Sequence, residues 1–227
     1  MSIRTHIARI KAVFHALEEY GTEVVFVGGA VVSLYATRPV PDFRPTDDID
    51  VLVEVASYSD YALLEDKLRQ KGFENDRSTG VICRYVVQGI TVDIMPTEEG
   101  ILGFSNKWYH GAHKASIAYT IDNQCIIRML PAPLFMATKF EAFLQRGNND
   151  GRMSSDFEDM VFVLNHRKEI WEEMAAAAPG LKLYLQEAFR NLQNEPHLQE
   201  WISCHLDMYD QPRITLIEAG IHSFIYE

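Results

Sequence analysis

Cysteine is scarce: three in 227 residues, at 83, 125 and 204, with no CxxC pair among them. Such spacing offers neither a zinc framework nor a disulfide scaffold, so a reducing compartment is expected. Positive charge is also in short supply. Lys and Arg number 21 against 32 Asp and Glu, a formal net charge of −11. A chain this acidic has no global attraction for nucleic acid or an anionic membrane, although a local basic pocket stays open to it. No apolar run approaches the roughly 18 residues that a spanning helix requires. The N-terminal stretch MSIRTHIARIKAVFHALEEYG is amphipathic but has no continuous apolar core of the secretory kind. The expectation is a soluble, cytoplasmic protein with no membrane contact.

What is present is ordinary globular material, 47% hydrophobic and 23% charged, enough for a sizeable core. Ile7, Ile10, Val13, Phe14 and Leu17 recur at helical spacing and predict a helix over 4–20, stopped at Gly21. VVFVGG (24–29) reads as a buried strand closed by a glycine turn, and 30–36 as a helix opening from it. A proline-punctuated loop (38–46) leads to a strand at 47–55 and a helix at 58–71. The runs flanking Gln88-Gly89 predict a hairpin over 81–96, and Asp122-Asn123 marks a second over 117–129. From Pro131 onward almost everything reads as helix, with breaks near 147–154, at Pro179-Gly180 and near Pro212. The expected division is therefore a mixed α/β domain, 1–129, followed by a helical region, 130–227.

The densest chemical signal is Gly28-Gly29, eighteen residues, then Asp48-Ile49-Asp50. Side chains alternate along a strand, so Asp48 and Asp50 share a face while Ile49, Val51 and Val53 point the other way. Two carboxylates so close repel and call for a counter-charge. A hard divalent cation such as Mg²⁺, which takes oxygen ligands from carboxylates, water and phosphate, supplies it. The plainer alternative is a turn-ending Asp48 and a solvated Asp50. Two features weigh against that alternative. A glycine turn at a helix start lets backbone approach a phosphate. Asp93, between Val92 and Ile94 in an apolar run, is an acid that needs a reason to be there. Three acids on neighbouring strands suit two-metal phosphoryl chemistry.

The combination of GG, an intervening helix, TDDIDVLV and a later lone Asp, spanning residues 22–96, resembles the DNA polymerase β-type nucleotidyltransferase superfamily. The resemblance implies an α+β fold with a mixed sheet and flanking helices. It implies that Gly28 and Gly29 hold the triphosphate, that Asp48, Asp50 and Asp93 bind two Mg²⁺ ions, and that Asp93 activates the acceptor. Asp47 falls on the opposite strand face, beside the site. One departure stands out: the family's spacer between GG and the first Asp is usually shorter than eighteen residues. The extra length falls in 40–45, where it either shapes an acceptor site or is simply tolerated.

In the helical half, Lys139 rides the edge of the apolar stripe of LFMATKFEAFLQR. It is either a lysine with a buried stem or a cation reaching a nucleotide phosphate; Arg146 and Arg152 add basic character nearby. Ser155 with Glu158 forms a capping-box pattern that places Asp156 in a first turn. Lys139-x-x-Ala142, then Arg146, then Asp156-x-x-Asp159-Met160 resembles the AbiEii-like abortive-infection nucleotidyltransferases, many of them toxins of bacterial toxin–antitoxin systems. That resemblance implies that Lys139 and Asp156 complete the catalytic site, and that a cognate antitoxin is a partner.

His110 and His113 form an HxxH pair with no third ligand at suitable spacing, and Trp171 and Trp201 read as core. The expected reaction is transfer of a nucleoside monophosphate from an NTP such as ATP to an acceptor hydroxyl, with release of pyrophosphate. Gly28, Gly29, Ser33 and Lys139 would seat the nucleotide. The acceptor is open: an RNA end, a small molecule or a protein side chain. The alternative reading is a non-catalytic nucleotide-binding or interaction module on the same fold.

Overall fold

The first helix, α1 (Ile3–Leu17), buries Ile10, Val13 and Leu17, the spacing of one helical face. This is a computed structural model, and it describes residues 3–40, 44–103, 106–148 and 150–227. A 3-10 turn, Glu18–Thr22, replaces the last turn of the expected helix and leads into β1 (Val25–Val27). All three β1 residues are buried. The stretch expected as a helix over 30–36 is instead a 3-10 helix, Gly29–Tyr35. Adjacent β-branched Val31 and Val32 are poor α-helix formers. Of the loop 38–46, residues 41–43 lie outside the described residues.

β2 (Asp48–Val53) follows, then α2 (Tyr58–Gln70), whose N-cap Ser57 accepts the Asp60 N–H at 3.1 Å. Next come β3 (Glu74–Asn75), β4 (Arg84–Val87) and β5 (Ile90–Pro96). Two short helices, α3 (Glu99–Leu102) and α4 (Ala112–Ala115), precede the hairpin β6 (Ile117–Asp122) and β7 (Cys125–Met129). Both expected hairpins form. At the first turn Gln88 and Gly89 have φ of 49° and 75°, the left-handed pair that a two-residue loop matched to strand twist requires.

The seven strands form one mixed sheet in the order β3-β4-β5-β2-β1-β7-β6. β2 runs antiparallel to β1 and parallel to β5, and β5 runs antiparallel to β4. One face is apolar: Ile49, Val51, Tyr85, Val92 and Ile94 are fully buried. α2 covers it, with the Tyr61 hydroxyl donating to the Ile94 carbonyl at 2.7 Å and the Tyr85 hydroxyl to Glu65. Lys71, just past α2, ion-pairs Glu18 and Glu19 at 2.5 and 2.8 Å and so ties α2 to the turn after α1.

The chain divides into two compact units, Met1–Ser33 with Pro41–Pro131, and Leu34–Val40 with Ala132–Glu227. The second is helical: α5 (Ala132–Arg146), α6 (Ser155–His166), α7 (Ile170–Ala175), α8 (Pro179–Gln193), α9 (Leu198–Cys204) and α10 (Ile214–Tyr226). Its core is aromatic, with Phe140 edge-on to Phe189 at 4.8 Å and Trp201 against Phe143 and Phe157. Trp171 packs on Phe189 and Phe224. The N-cap of α6 is Ser154, whose hydroxyl accepts the Phe157 N–H, one residue before the expected Ser155. Among the described residues no helix is long and apolar enough to cross a membrane.

Candidate functional site

Strand register brings the acids together. Asp50 stands directly opposite Asp93 across the parallel β2–β5 pair, and Asp48 lies two residues from Asp50 on the same face. One carboxylate oxygen from each of Asp48, Asp50 and Asp93 lies within 4.8 Å of the others. Asp93 is buried, at 8% exposure, while Asp48 and Asp50 are partly open. Asp47 is exposed, outside this cluster.

A fourth group, which sequence reasoning missed, completes the cluster. Arg84 on β4 stands opposite Asp93. Its Nε and one terminal nitrogen donate to the two Asp93 oxygens, each at 2.7 Å. The same terminal nitrogen reaches an Asp48 oxygen at 3.1 Å. This is a fork-on-carboxylate pair, the strong form of charge-assisted hydrogen bond. The signal was present in the sequence: in a hairpin turning on 88–89, residues 84 and 93 are equidistant from the turn and must pair. Beside it, Cys83 is buried, and that burial, with the Asp93 charge adding, pushes its thiol up to about 12. It is therefore no nucleophile.

Gly28 closes the other side. Its φ is +71°, and a Cβ there would collide with the Asp50 carboxylate. The glycine turn, expected to let backbone approach a phosphate, leaves space for the Asp50 carboxylate. Gly29 starts the 3-10 helix. Among the described residues the Ser33 hydroxyl further along is buried with no hydrogen-bond partner, and buried orphans of that kind call for an explanation. The segment delivering Asp48 is pinned by α1. Arg9 donates to the Thr46 carbonyl, and to the Asp47 carbonyl at 2.6 Å. The ring Nε2 of fully buried His6 accepts the Thr46 N–H at 3.3 Å. Nothing local in the sequence announces these contacts across about forty residues.

The comparisons with known proteins bear on this arrangement. No protein-family model matches the chain, and no curated protein matches it. Among solved structures it is similar to an antigenic nucleotidyltransferase-like protein from Paracoccidioides brasiliensis. The TM-score is 0.55 at 16% sequence identity, covering 91% of this chain and 96% of that one. The chain has a nucleotidyltransferase-like fold. An identity that low speaks to architecture alone, so the chemistry must be argued from the residues.

The donor set fits a hard cation. All three groups are carboxylates, with no imidazole or thiolate of the kind that zinc or copper prefers.

In the helical unit, Lys139 is buried (6% exposed). Its ammonium lies 3.1 Å from Asp156 and 2.7 Å from Asp159. Arg146 adds a fork to Asp156 at 2.7 and 2.9 Å. Burial alone would raise the Asp156 carboxyl, but the Arg146 hydrogen bonds and the Lys139 and Arg146 charges outweigh it and hold the group below its usual range. Lys139 and Asp156, expected to act together, are thus in direct contact. The expectation of a lysine with only its stem buried is corrected: the charged end is buried as well, because two carboxylates receive it. His110 and His113 pair separately, with Glu98 and Glu54.

Proposed function

We propose that the chain is a Mg²⁺-dependent nucleotidyltransferase that moves a nucleoside monophosphate from an NTP to an acceptor hydroxyl. The observation that carries this reading is the meeting of Asp48, Asp50 and Asp93 beside the Gly28 turn. Mg²⁺ held by these carboxylates would neutralise triphosphate charge and make the acceptor hydroxyl easier to ionise. The chain's own groups do the remainder. Gly28 and Gly29 offer backbone to the phosphates, and the Ser33 hydroxyl donates to them. Asp93 takes the proton from the acceptor oxygen as that oxygen bonds to the α-phosphorus. The bond from that phosphorus to the bridging oxygen breaks, and pyrophosphate leaves with the electron pair.

The Lys139–Arg146–Asp156 pattern supports a toxin-type role in a cytoplasmic toxin–antitoxin pair, with a cognate antitoxin as partner. The acceptor is an RNA end, a small molecule or a protein side chain. The test is incubation with Mg²⁺ and each α-labelled NTP in a cell lysate, fractionated into RNA, protein and small molecules, with Asp48→Asn alongside. Label in one fraction, lost in the variant while the circular dichroism spectrum is unchanged, supports the proposal and names the acceptor class. Equal labelling by Asp48→Asn refutes the metal assignment. No label and no pyrophosphate release favours a non-catalytic nucleotide-binding module on the same fold.

A further inference from the structure

Arg84 lies between the two outer members of the carboxylate cluster, in hydrogen-bond contact with both Asp93 oxygens and with Asp48. A guanidinium in that position already gives two of the three acids the positive partner that a bound cation would give them. Its side chain is 20% exposed, so it has a way out toward solvent. Arg84 belongs to a strand and reaches the acids through a long, flexible stem, so it can leave without disturbing β4 or β5.

We propose that Arg84 is an internal counter-ion that keeps the carboxylate site closed to free divalent cations and yields it only when a polyphosphate arrives with the metal. The inference rests on the metal-binding reading given under Proposed function. Three carboxylates alone would attract a divalent cation strongly; with Arg84 seated, Asp48 and Asp93 are already partnered. A metal arriving alone must displace the fork and leave the guanidinium without an anion. A metal carrying a triphosphate brings a replacement, because phosphate oxygens accept the same fork. Metal and nucleotide would therefore enter as one complex, and the site would not hold a bare ion between turnovers. If the open arrangement is about a tenth of the population, apparent metal affinity in the absence of nucleotide is weakened about tenfold, by the fraction competent to bind.

The test is titration of the full chain with Mn²⁺ alone, reading free Mn²⁺ by electron paramagnetic resonance. Wild type is compared with Arg84→Gln, Arg84→Lys and Arg84→Gln/Asp50→Asn. Arg84→Gln should bind Mn²⁺ about tenfold or more tightly than wild type, Arg84→Lys should fall between, and the double variant should lose the gain. Equal affinity in wild type and Arg84→Gln overturns the proposal while leaving the metal site intact. Absence of binding in every protein, with and without inorganic triphosphate, removes the metal reading and the proposal with it. Wild type gives an independent answer should Arg84→Gln fail to fold. The Arg84 side-chain N–H resonance should be unmoved by Mg²⁺ alone and should shift when Mg²⁺ is added with triphosphate. A shift with Mg²⁺ alone at equal concentration, or none with the pair, overturns the idea.

Discussion

Gly28→Ala probes the tightest juncture of the site. Gly28 sits at φ +71°, and a Cβ there would meet the Asp50 carboxylate and its Cγ, with the Asp50 Cβ itself 3.0 Å away. Two costs follow. Holding an L-residue in the left-handed region costs roughly 1–2 kcal/mol. Forcing the Asp50 side chain aside resembles overpacking of a filled site, about 1–3 kcal/mol more. The sum, about 2–5 kcal/mol, is a large fraction of the stability of an ordinary domain. The two costs separate in a double-mutant cycle, since Asp50→Ala removes the carboxylate but leaves the backbone demand at residue 28. Gly28→Ala should cost about 2–5 kcal/mol in wild type and only about 1–2 in the Asp50→Ala background. The assay is urea denaturation of all four proteins, followed by circular dichroism, with denaturant slopes compared to exclude a change in the unfolded state. Equal costs in the two backgrounds would refute the claim that Gly28 exists to make room for Asp50. The glycine would then serve the turn alone.

Lys139→Met should destabilise the protein by about 3–5 kcal/mol, because it takes the buried ammonium from Asp159 and leaves Asp156 to the Arg146 fork. Adding Asp159→Asn should recover part of the loss in urea melts, and a loss below about 1 kcal/mol would show that the cluster is solvated. His6 bears on pH dependence. Burial first, then the Arg9 charge, lowers its pKa below the usual 6.5, so the unfolded chain takes up the proton before the folded one does. Its contribution is complete above about pH 6.5 and is lost as pH falls from there toward the folded value. His6→Gln, whose amide oxygen can still accept the Thr46 N–H, should therefore lose less thermal stability than wild type between pH 7.5 and 5.5. Parallel melting curves across that range would refute the assignment.

Local grammar carried much of this molecule. The two hairpins, the Ser57-capped α2 and the shared face of Asp48 and Asp50 follow from alternation, turn pairs and caps, all written within a few residues of where they act. The pairing of Asp50 with Asp93 needed one further step, since it depends on β2 lying parallel to β5 across a helix and a hairpin. Where short-range rules competed, resolution was lost. Ser154 and Ser155 are both competent caps, and the one whose hydroxyl reaches a helical N–H, Ser154, is the cap. At Gly29–Tyr35 the 3-10 winding is a matter of packing that apolar periodicity does not distinguish from an α-helix. His6 and Arg9 act across about forty residues, and no pattern of residue types encodes that reach.

The carboxylate cluster also says something about cost. Like charges directly opposite on paired strands destabilise a sheet, and Asp50 and Asp93 are such a pair. A chain selected only for folding would place an apolar residue at 93, as it does at 92 and 94 on either side. Instead it keeps the acid, admits Arg84 beside it, and clears the Gly28 Cβ from in front of Asp50. Between them the two devices reach all three carboxylates: Arg84 grips Asp93 and touches Asp48, while Gly28 spares Asp50. Stability sacrificed at one spot and offset by a guanidinium from β4 and by a glycine turn marks a place where the fold answers a demand other than its own stability.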